Sequence, residues 1–232
     1  YLLAYPILRK YNLPATILVT TGHIANDKLF WWDKIDYIIK KTKIKKIMLD
    51  GVGTFSTNNK EKIISRIQEK LKNVEEKKKN ELINKLEEEL KVDIPKVKNL
   101  FLSWLDIREM SENKISFGAH TVTHPILTKI SLNQAKEEIL NSKNKIEEEI
   151  NQKVFVFAYP NGTMVDMSNG IDNFLKENNF SFALSTIYGL NKLGSFRLKR
   201  VAIEAEDDLK LFRIKLLGIG KNLALLKSKF LR

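Results

Sequence analysis

The amino-acid sequence predicts an α/β protein whose strands form a parallel sheet. Two apolar runs of strand length, Ala15–Thr20 and Val154–Ala158, alternate with segments whose apolar residues recur at the spacing of a helix face. Strands that are apolar on both faces are typical of sheets covered by helices on each side. This alternation predicts a parallel sheet, either open or closed into a barrel. In both arrangements functional residues collect on the loops after the carboxyl ends of the strands.

Composition excludes several classes of protein. The 232 residues are enough for one large domain or two small ones, with a core that needs no covalent staple. The chain has no cysteine, which excludes a disulfide framework and a thiol nucleophile. The chain contains no run of 18 uncharged apolar residues, so the sequence predicts no membrane-spanning helix. The start, Tyr1–Pro6, lacks the pattern of a signal peptide, so the sequence leaves both the cell envelope and the cytoplasm open as locations.

The first predicted elements are two helices, a strand and a hairpin. The helix Leu2–Tyr11 ends at the break Asn12-Leu13-Pro14, and Gly22 closes the strand that follows. The next helix places three isoleucines on one face, Ile35, Ile38 and Ile39. Two short runs joined across Asp50-Gly51 then predict a hairpin, Ile44–Leu49 and Gly53–Ser56.

The segment Lys60–Leu90 differs in composition from the rest of the chain. It combines charged stretches of both signs with apolar residues at helical spacing. We interpret it as one or two surface helices inserted between strands, because its heptad-like runs are too short for a coiled coil.

Two capping boxes predict helix starts in the second half of the chain. Ser103-Trp104-Leu105-Asp106 begins a helix through Met110, and Ser131-Leu132-Asn133-Gln134 begins one that ends near Ile150. The longer helix has a predicted buried stripe of Leu132, Ala135, Ile139, Ile146 and Ile150. The other predicted elements are the strand Ile115–Gly118, a helix over 171–178, and the strands Phe182–Ser185 and Phe196–Ile203.

The C-terminal segment Leu209–Arg232 is a basic amphipathic tail. No acidic residue follows Asp208, and seven of the 12 net positive charges come from Lys210, Arg213, Lys215, Lys221, Lys227, Lys229 and Arg232. Such a tail can contact an anionic membrane surface or a nucleic acid. No nucleic-acid motif accompanies it, so no nucleic-acid partner is expected. The sequence favours a closing helix with a lysine-rich solvent face over peripheral membrane contact.

Two of the three histidines, His120 and His124, lie four residues apart just after a predicted strand. The β-branched residues between them and Pro125 after them disfavour a helix, so a sharp turn is the way to aim both imidazoles at one point. Neutral imidazoles suit zinc and related divalent ions, and a catalytic ion needs about three protein ligands. The pair is therefore either part of a metal site, with its third ligand not evident nearby, or two unrelated polar loop residues.

Residues around this pair resemble a known family. Gly118-Ala119-His120-Thr121-Val122-Thr123-His124-Pro125 is similar to the metal-binding His-Ser/Thr-x-x-His-Pro motif of the polysaccharide deacetylases, the NodB-homology proteins of carbohydrate esterase family four. Pro14-Ala15-Thr16, Thr20-Thr21-Gly22 and Phe157-Ala158-Tyr159-Pro160-Asn161-Gly162 follow the family's order. The resemblance covers residues 1–203, interrupted over 43–98. It implies a distorted (β/α) barrel over 1–208 with a helical insertion about 43–98, followed by the tail.

The resemblance also implies an activity, which is metal-dependent removal of N-acetyl groups from amino sugars of a polysaccharide or glycan precursor. His120 and His124 would bind the metal, which is expected to be zinc, with cobalt or nickel as alternatives. The backbone N–H of Asn161 would hold the oxyanion of the reaction. Tyr159, Pro160 and Gly162 would form the substrate-binding turn around it.

The chain departs from the family at several positions. In the family, a strand before the first helix ends in Asp-Asp and supplies the general base and the third metal ligand. This chain begins after that point, so we expect a first strand upstream of Tyr1 and an inactive fragment without it. Ala158 and Asn161 stand where members often have arginine and tyrosine, and the Leu-x-His that supplies the general acid has no counterpart. A non-catalytic glycan-binding relative is therefore the alternative.

Other polar and aromatic residues are weaker candidates. His23 follows the strand Ala15–Thr20 and is either a substitute acid or a rim residue, while Arg200 either contacts the sugar or pairs on a strand. Asp166 and Asp172 are interpreted as turn and helix-start residues. The three tryptophans can stack on sugars, but their places beside helix starts favour the core: Trp31, Trp32 and Trp104.

Overall fold

The computed structural model describes residues 1–26, 28–57, 59–97, 100–191 and 196–218. Its helices and strands are, in chain order, α1 Ala4–Lys10, β1 Ala15–Val19, α2 Trp31–Lys41, β2 Lys46–Leu49, β3 Gly53–Ser56, α3 Lys60–Leu71, α4 Glu76–Leu90, α5 Trp104–Ser111, β4 Ile115–Ala119, α6 Leu132–Ile150, β5 Val156–Ala158, α7 Asn169–Glu177, β6 Phe182–Tyr188, β7 Leu198–Arg200 and α8 Leu209–Leu216. Single turns of 3-10 helix lie at Thr21–His23, Leu127–Lys129 and Met164–Asp166.

Five of these strands form one parallel sheet in the order β1-β4-β5-β6-β7. The register between its first two strands runs from Ala15 beside Ile115 to Val19 beside Ala119. The predicted α/β class with a parallel sheet is confirmed. Because all five strands point the same way, the loops after β1, β4 and β5 meet at one edge of the sheet.

The described residues form two apolar cores. The first lies between the parallel sheet and helices α5, α6 and α7, and includes Ile107, Phe117, Ile139 and Phe157. The second joins α2, the antiparallel hairpin β2–β3, α3 and α4, and includes Ile38, Phe55, Ile67 and Leu86. We call residues 31–90 the inserted lobe. It contains most of the predicted insertion over 43–98, but α2 packs with it as well.

Local signals placed most element boundaries correctly. Both capping boxes are formed, at Ser103 and at Ser131. Two residues of the predicted α6 stripe are not fully buried: Ile150 at the end of the helix is partly buried, and Leu132 in its first turn remains 48% exposed. Strand β5 begins two residues later than predicted, since the N–H of Val154 donates to the Glu147 carboxylate at 2.8 Å rather than to a neighbouring strand. Strand β7 is shorter than predicted for Phe196–Ile203.

Only the first part of the basic tail lies within the described residues. Asp208 caps the N-terminus of α8, where its side chain accepts a hydrogen bond from the N–H of Leu211. The leucines at 209, 216 and 217 are exposed and do not pack inward. Residues 219–232 lie outside the described residues. Within the described part of the chain, no helix has the length and hydropathy that a bilayer crossing requires.

A glycine in β4 provides a test of how closely the sheet is packed. A Cβ added to Gly118 would lie 2.8 Å from the carbonyl oxygen of Val156 and 2.4 Å from a methyl of Leu18. We therefore expect Gly118→Ala to lower the free energy of unfolding by about 1–3 kcal/mol in a urea titration. Gly170→Ala is the control, because a Cβ there meets nothing closer than 3.9 Å and alanine favours a helix. Equal stability of the two variants would contradict this prediction.

Candidate metal and catalytic site

The loop after β4 carries both histidines in an unusual backbone conformation. Thr121 and His124 have φ values of 65° and 61°, in the left-handed region that β-branched residues in particular avoid. The hydroxyl of Thr121 stabilises this turn by donating to the carbonyl of His120 at 2.6 Å and accepting from the N–H of His124 at 3.0 Å. As a result the two imidazole rings meet with their centroids 4.6 Å apart and their planes nearly perpendicular.

Glu138, on α6, stabilises this loop by accepting three hydrogen bonds from it. One carboxylate oxygen accepts the backbone N–H groups of Val122 at 2.7 Å and Thr123 at 2.9 Å, and the other accepts the Thr123 hydroxyl at 2.7 Å. The exit of β1 supports the loop from the other side, where the N–H of Gly22 donates to the carbonyl of Val122. Sequence analysis did not identify Glu138. Its only signal is a glutamate beside Ile139 on the inner side of an amphipathic helix.

The hydrogen bonds of the two imidazoles leave ring nitrogens available. His120 Nδ1 lies 2.7 Å from the carbonyl oxygen of Ala158. Since a carbonyl only accepts, Nδ1 carries the proton and Nε2 has a free lone pair. His124 Nδ1 is buried and has no partner among the described residues. The His120 arrangement fits a metal site, because a ligating histidine usually donates its other ring N–H to a carbonyl or carboxylate. The unpaired nitrogen of His124 fits it in another way, since that nitrogen is available to an ion.

Burial keeps both imidazoles neutral. It lowers the pKa of His124 to about 3, with a smaller contribution from the neighbouring His120. The pKa of His120 is also lowered, first by burial, while its hydrogen bond to Ala158 opposes the shift and the charge of Arg200 adds to it. Neutral imidazole is the form that binds a metal ion. Among the residues that the structure describes, no group of three histidine, aspartate or glutamate side chains could hold an ion.

These shifts predict how the metal-free protein responds to acid. Between pH 6.5 and about 3 the unfolded chain protonates His124 while the folded chain does not, so stability falls as the pH falls, by about 1.4 kcal/mol per pH unit for a single group. We expect urea titrations with a chelator to give a smaller loss between pH 6.5 and 4.5 for His124→Gln than for the unsubstituted protein. Equal losses in the two proteins would show that His124 is not held neutral.

The two histidines line a cavity of about 400 Å³ whose other wall is aromatic. His23 stacks on Phe30 with ring centroids 3.8 Å apart, and Phe30 stacks on Trp32 with centroids 4.4 Å apart. Trp32 in turn contacts His124 edge to face, with centroids 4.7 Å apart. The structure therefore places His23 inside the cavity, with its Nδ1 3.0 Å from the carbonyl of Lys28. Trp32 was expected to lie in the core, but the structure shows that it lines this cavity. Trp31 and Trp104 pack against the two cores as expected.

The turn after β5 presents a backbone N–H. Asn161 and Gly162 have φ values of 60° and 65°, and Asp166 holds the turn by accepting from the Asn161 side chain at 2.7 Å and from the N–H of Thr163 at 2.8 Å. The backbone N–H of Asn161 has no acceptor among the described residues. A side chain at Gly162 would meet the N–H nitrogen of Thr186 at 3.0 Å, so glycine is needed there. Asp166 thus occupies a turn, as predicted.

Tyr159 is placed differently from the expectation that it contacts substrate. Its side chain is 1% exposed, and its hydroxyl donates to Asp172, which also pairs with Arg197 at 2.7 Å. Burial, and then the Asp172 carboxylate, raise the pKa of Tyr159 above its ordinary value. Pro160 is also buried. The phenol therefore anchors the turn, and Asp172 lies in the first turn of α7 as predicted.

Arg200 lies at the end of β7, where its Nε donates to the carbonyl of Ser185 at 2.5 Å. Its side chain is close enough for its charge to lower the pKa of His120. The structure therefore brings His23, His120, His124 and Arg200 to the same end of the sheet. The turn that contains Asn161 follows β5, the strand that pairs with β4.

Comparisons with known proteins agree with this architecture. A family model described as polysaccharide deacetylase matches residues 3–180. The structure is similar to IcaB from Ammonifex degensii, with a TM-score of 0.54, 16% identity, and coverage of 94% of this chain and 67% of that one. No curated protein matches the chain at a significant level.

Two further solved structures share the fold. The deacetylase PplD of Streptococcus pyogenes, in complex with acetate, has a TM-score of 0.52 and 20% identity, with coverage of 89% of this chain and 60% of that one. A de-N-acetylase from Aggregatibacter actinomycetemcomitans has a TM-score of 0.50 and 15% identity, with coverage of 93% and 70%. At these identities the likeness shows the fold alone. This chain spans 60% of the length of the streptococcal protein.

Proposed function

The chain belongs to the polysaccharide deacetylase family, and on that premise we propose that it forms the core of a metal-dependent hydrolase. The reaction is removal of N-acetyl groups from amino sugars of a polysaccharide or glycan precursor. The observation that carries this proposal is the pair of neutral imidazoles at 4.6 Å, one with its Nδ1 proton held by Ala158 and the other with an unpaired buried nitrogen.

The two histidines suit a divalent ion of the zinc, cobalt or nickel type. His120 and His124 would hold it through their free ring nitrogens. Such an ion supplies Lewis-acid polarisation of an acetyl carbonyl and lowers the pKa of water. Because two protein ligands bind an ion weakly, a catalytic ion at this site would need a third ligand, for which the family resemblance implies a carboxylate.

The other residues of the site bind and orient the acetyl group. The N–H of Asn161 donates to the oxygen that gains negative charge, and Gly162 lets the backbone approach it closely. His23 lines the same cavity with Nδ1–H directed at the Lys28 carbonyl, so its other ring nitrogen would first accept a proton, from the attacking water, before passing it to the leaving amine. Arg200 contributes positive charge beside His120. Tyr159 and Pro160 act from beneath the turn by fixing its backbone.

The test is acetate release by the full-length protein. N-acetylglucosamine oligomers and polymers are the substrates, and the protein is stripped with a chelator and reloaded with zinc, cobalt or nickel. We expect activity only after reloading. Activity that is unaffected by a chelator would contradict metal dependence. A protein with no activity that still binds the oligomers would instead support a non-catalytic glycan-binding relative, which the absence of a third described ligand favours.

We also propose that the tail supports peripheral contact with an anionic membrane at the cell envelope. Leu209, Leu216 and Leu217 are 75%, 57% and 70% exposed beside Lys210 and Arg213. Basic residues next to exposed leucines favour a lipid surface over a nucleic acid. The protein should sediment together with vesicles that contain anionic lipid, whereas a variant without residues 209–232 should stay in the supernatant. Equal retention of both forms would contradict the proposal.

A further inference from the structure

The inserted lobe carries a buried lysine whose position the reaction does not explain. Lys79, in the first turn of α4, is 1% exposed, whereas lysine side chains are almost always exposed unless paired. Its Nζ donates to the Glu76 carboxylate at 2.7 Å and lies 4.7 Å from the centre of the Trp31 ring. Burial lowers the pKa of Lys79, and the nearby Glu76 carboxylate opposes that shift.

A continuous set of ring contacts leads from Lys79 to the histidine pair. Trp31 meets Trp32 edge to face, with centroids 5.7 Å apart and planes at 81°. Trp32 in turn meets His124 with centroids 4.7 Å apart and planes at 68°. The backbone of Trp32 is held by the same lobe, since the side-chain amide of Gln68 on α3 donates to its carbonyl at 3.0 Å. Thus residues of α3 and α4 fix two aromatic rings at the start of α2.

These contacts restrict the orientation of the Trp31 and Trp32 rings. A buried ammonium is stable only where a carboxylate and the face of an aromatic ring replace its lost water. The Trp31 ring must therefore stay under Lys79 Nζ, and its edge contact with Trp32 limits where that second ring lies. An apolar side chain in place of Lys79 would fill similar space without fixing the orientation of the indole.

We propose that Lys79 is a positioning residue that holds the Trp31–Trp32 pair against His124, so that the inserted lobe shapes the cavity wall against which an acetylated sugar ring packs. This inference rests on the proposed deacetylase function for the identity of the ligand. The placement of the two tryptophans by Lys79 does not depend on activity.

The test uses the double substitution Lys79→Met with Glu76→Gln, which removes the charge pair without leaving one partner unpaired. The matched control is Lys78→Met, because Lys78 is the neighbouring residue and its side chain is 48% exposed. The chain has three tryptophans, and a Trp104→Phe background leaves Trp31 and Trp32 as the fluorescent pair. The two readouts are quenching of this fluorescence by acrylamide and the separation of KM from kcat for acetate release.

We expect the double variant to fold, as judged by circular dichroism, and to show quenching that rises by about twofold or more. Its KM should rise by about fivefold while kcat changes by less than about twofold, because binding is weakened and the reacting groups are not touched. The control should match the background protein in both. Unchanged quenching in a folded double variant would overturn the inference, even if that variant melts at a lower temperature.

The two proposals can fail separately. If the background protein releases no acetate under any metal, the deacetylase function fails, and the quenching result still decides whether Lys79 positions the tryptophans. If acetate release is normal but the double variant has unchanged KM and quenching, the function stands and Lys79 is only a structural ion pair.

Discussion

Replacing His120 or His124 with alanine is expected to abolish zinc binding and acetate release while the protein stays folded. Each imidazole is one of two described groups available to an ion, and removing a direct ligand should weaken binding by more than the 10–100-fold typical of the residues behind the ligands. The expected loss is at least about 100-fold in zinc affinity by calorimetry. Acetate release should fall with it, because the bound ion would polarise the acetyl carbonyl.

The third histidine of the chain is the control for this prediction. His23 lines the same cavity, but its ring stacks on Phe30 and its Nδ1 contacts the Lys28 carbonyl. We expect His23→Gln to leave the zinc affinity within about threefold of the starting value, although the rate of amine release is expected to fall. Zinc affinity that is insensitive to His120→Ala and His124→Ala would place the metal elsewhere and would falsify the site.

Glu138→Gln is expected to have the second-largest effect, although Glu138 does not line the histidine cavity. Its carboxylate accepts two backbone N–H groups and one hydroxyl from the loop between the histidines. A neutral amide has one acceptor oxygen and directs its NH₂ toward donors, so part of this set is lost. The loop holds Thr121 and His124 in left-handed conformations that cost about 1–3 kcal/mol each and persist only where the surroundings enforce them.

The expected results for Glu138→Gln are a fall of about 10–100-fold in zinc affinity and a loss of about 1–3 kcal/mol in the free energy of unfolding. The measurements are calorimetry and a urea titration. Glu137→Gln is the matched control, because that neighbouring glutamate is exposed on the same helix turn. If both variants keep full zinc affinity, the loop holds its shape without Glu138, and the positioning role is wrong.

Local chemistry made much of the fold predictable. The capping boxes at Ser103 and Ser131, the break at Pro14 and the apolar run of β1 act within a few residues, so their effects are readable from short windows of sequence. The segment 43–98 was predicted to be an insertion because its charged helices interrupt the resemblance. Its core also includes α2, which no local pattern indicates, since packing partners are chosen at a distance.

The sequence by itself determined the α/β class, the order of the elements and the identity of the metal-binding candidates, because periodicity and the spacing of His120 and His124 are local properties. Only the tertiary structure decided which distant groups support them. Glu138 holds the histidine loop, Ala158 orients one imidazole, and Trp32 forms the cavity wall where a core position was expected. Each of these depends on how separate helices and strands pack together. That arrangement is set by burial of apolar surface, which is not directional and leaves no short sequence signature.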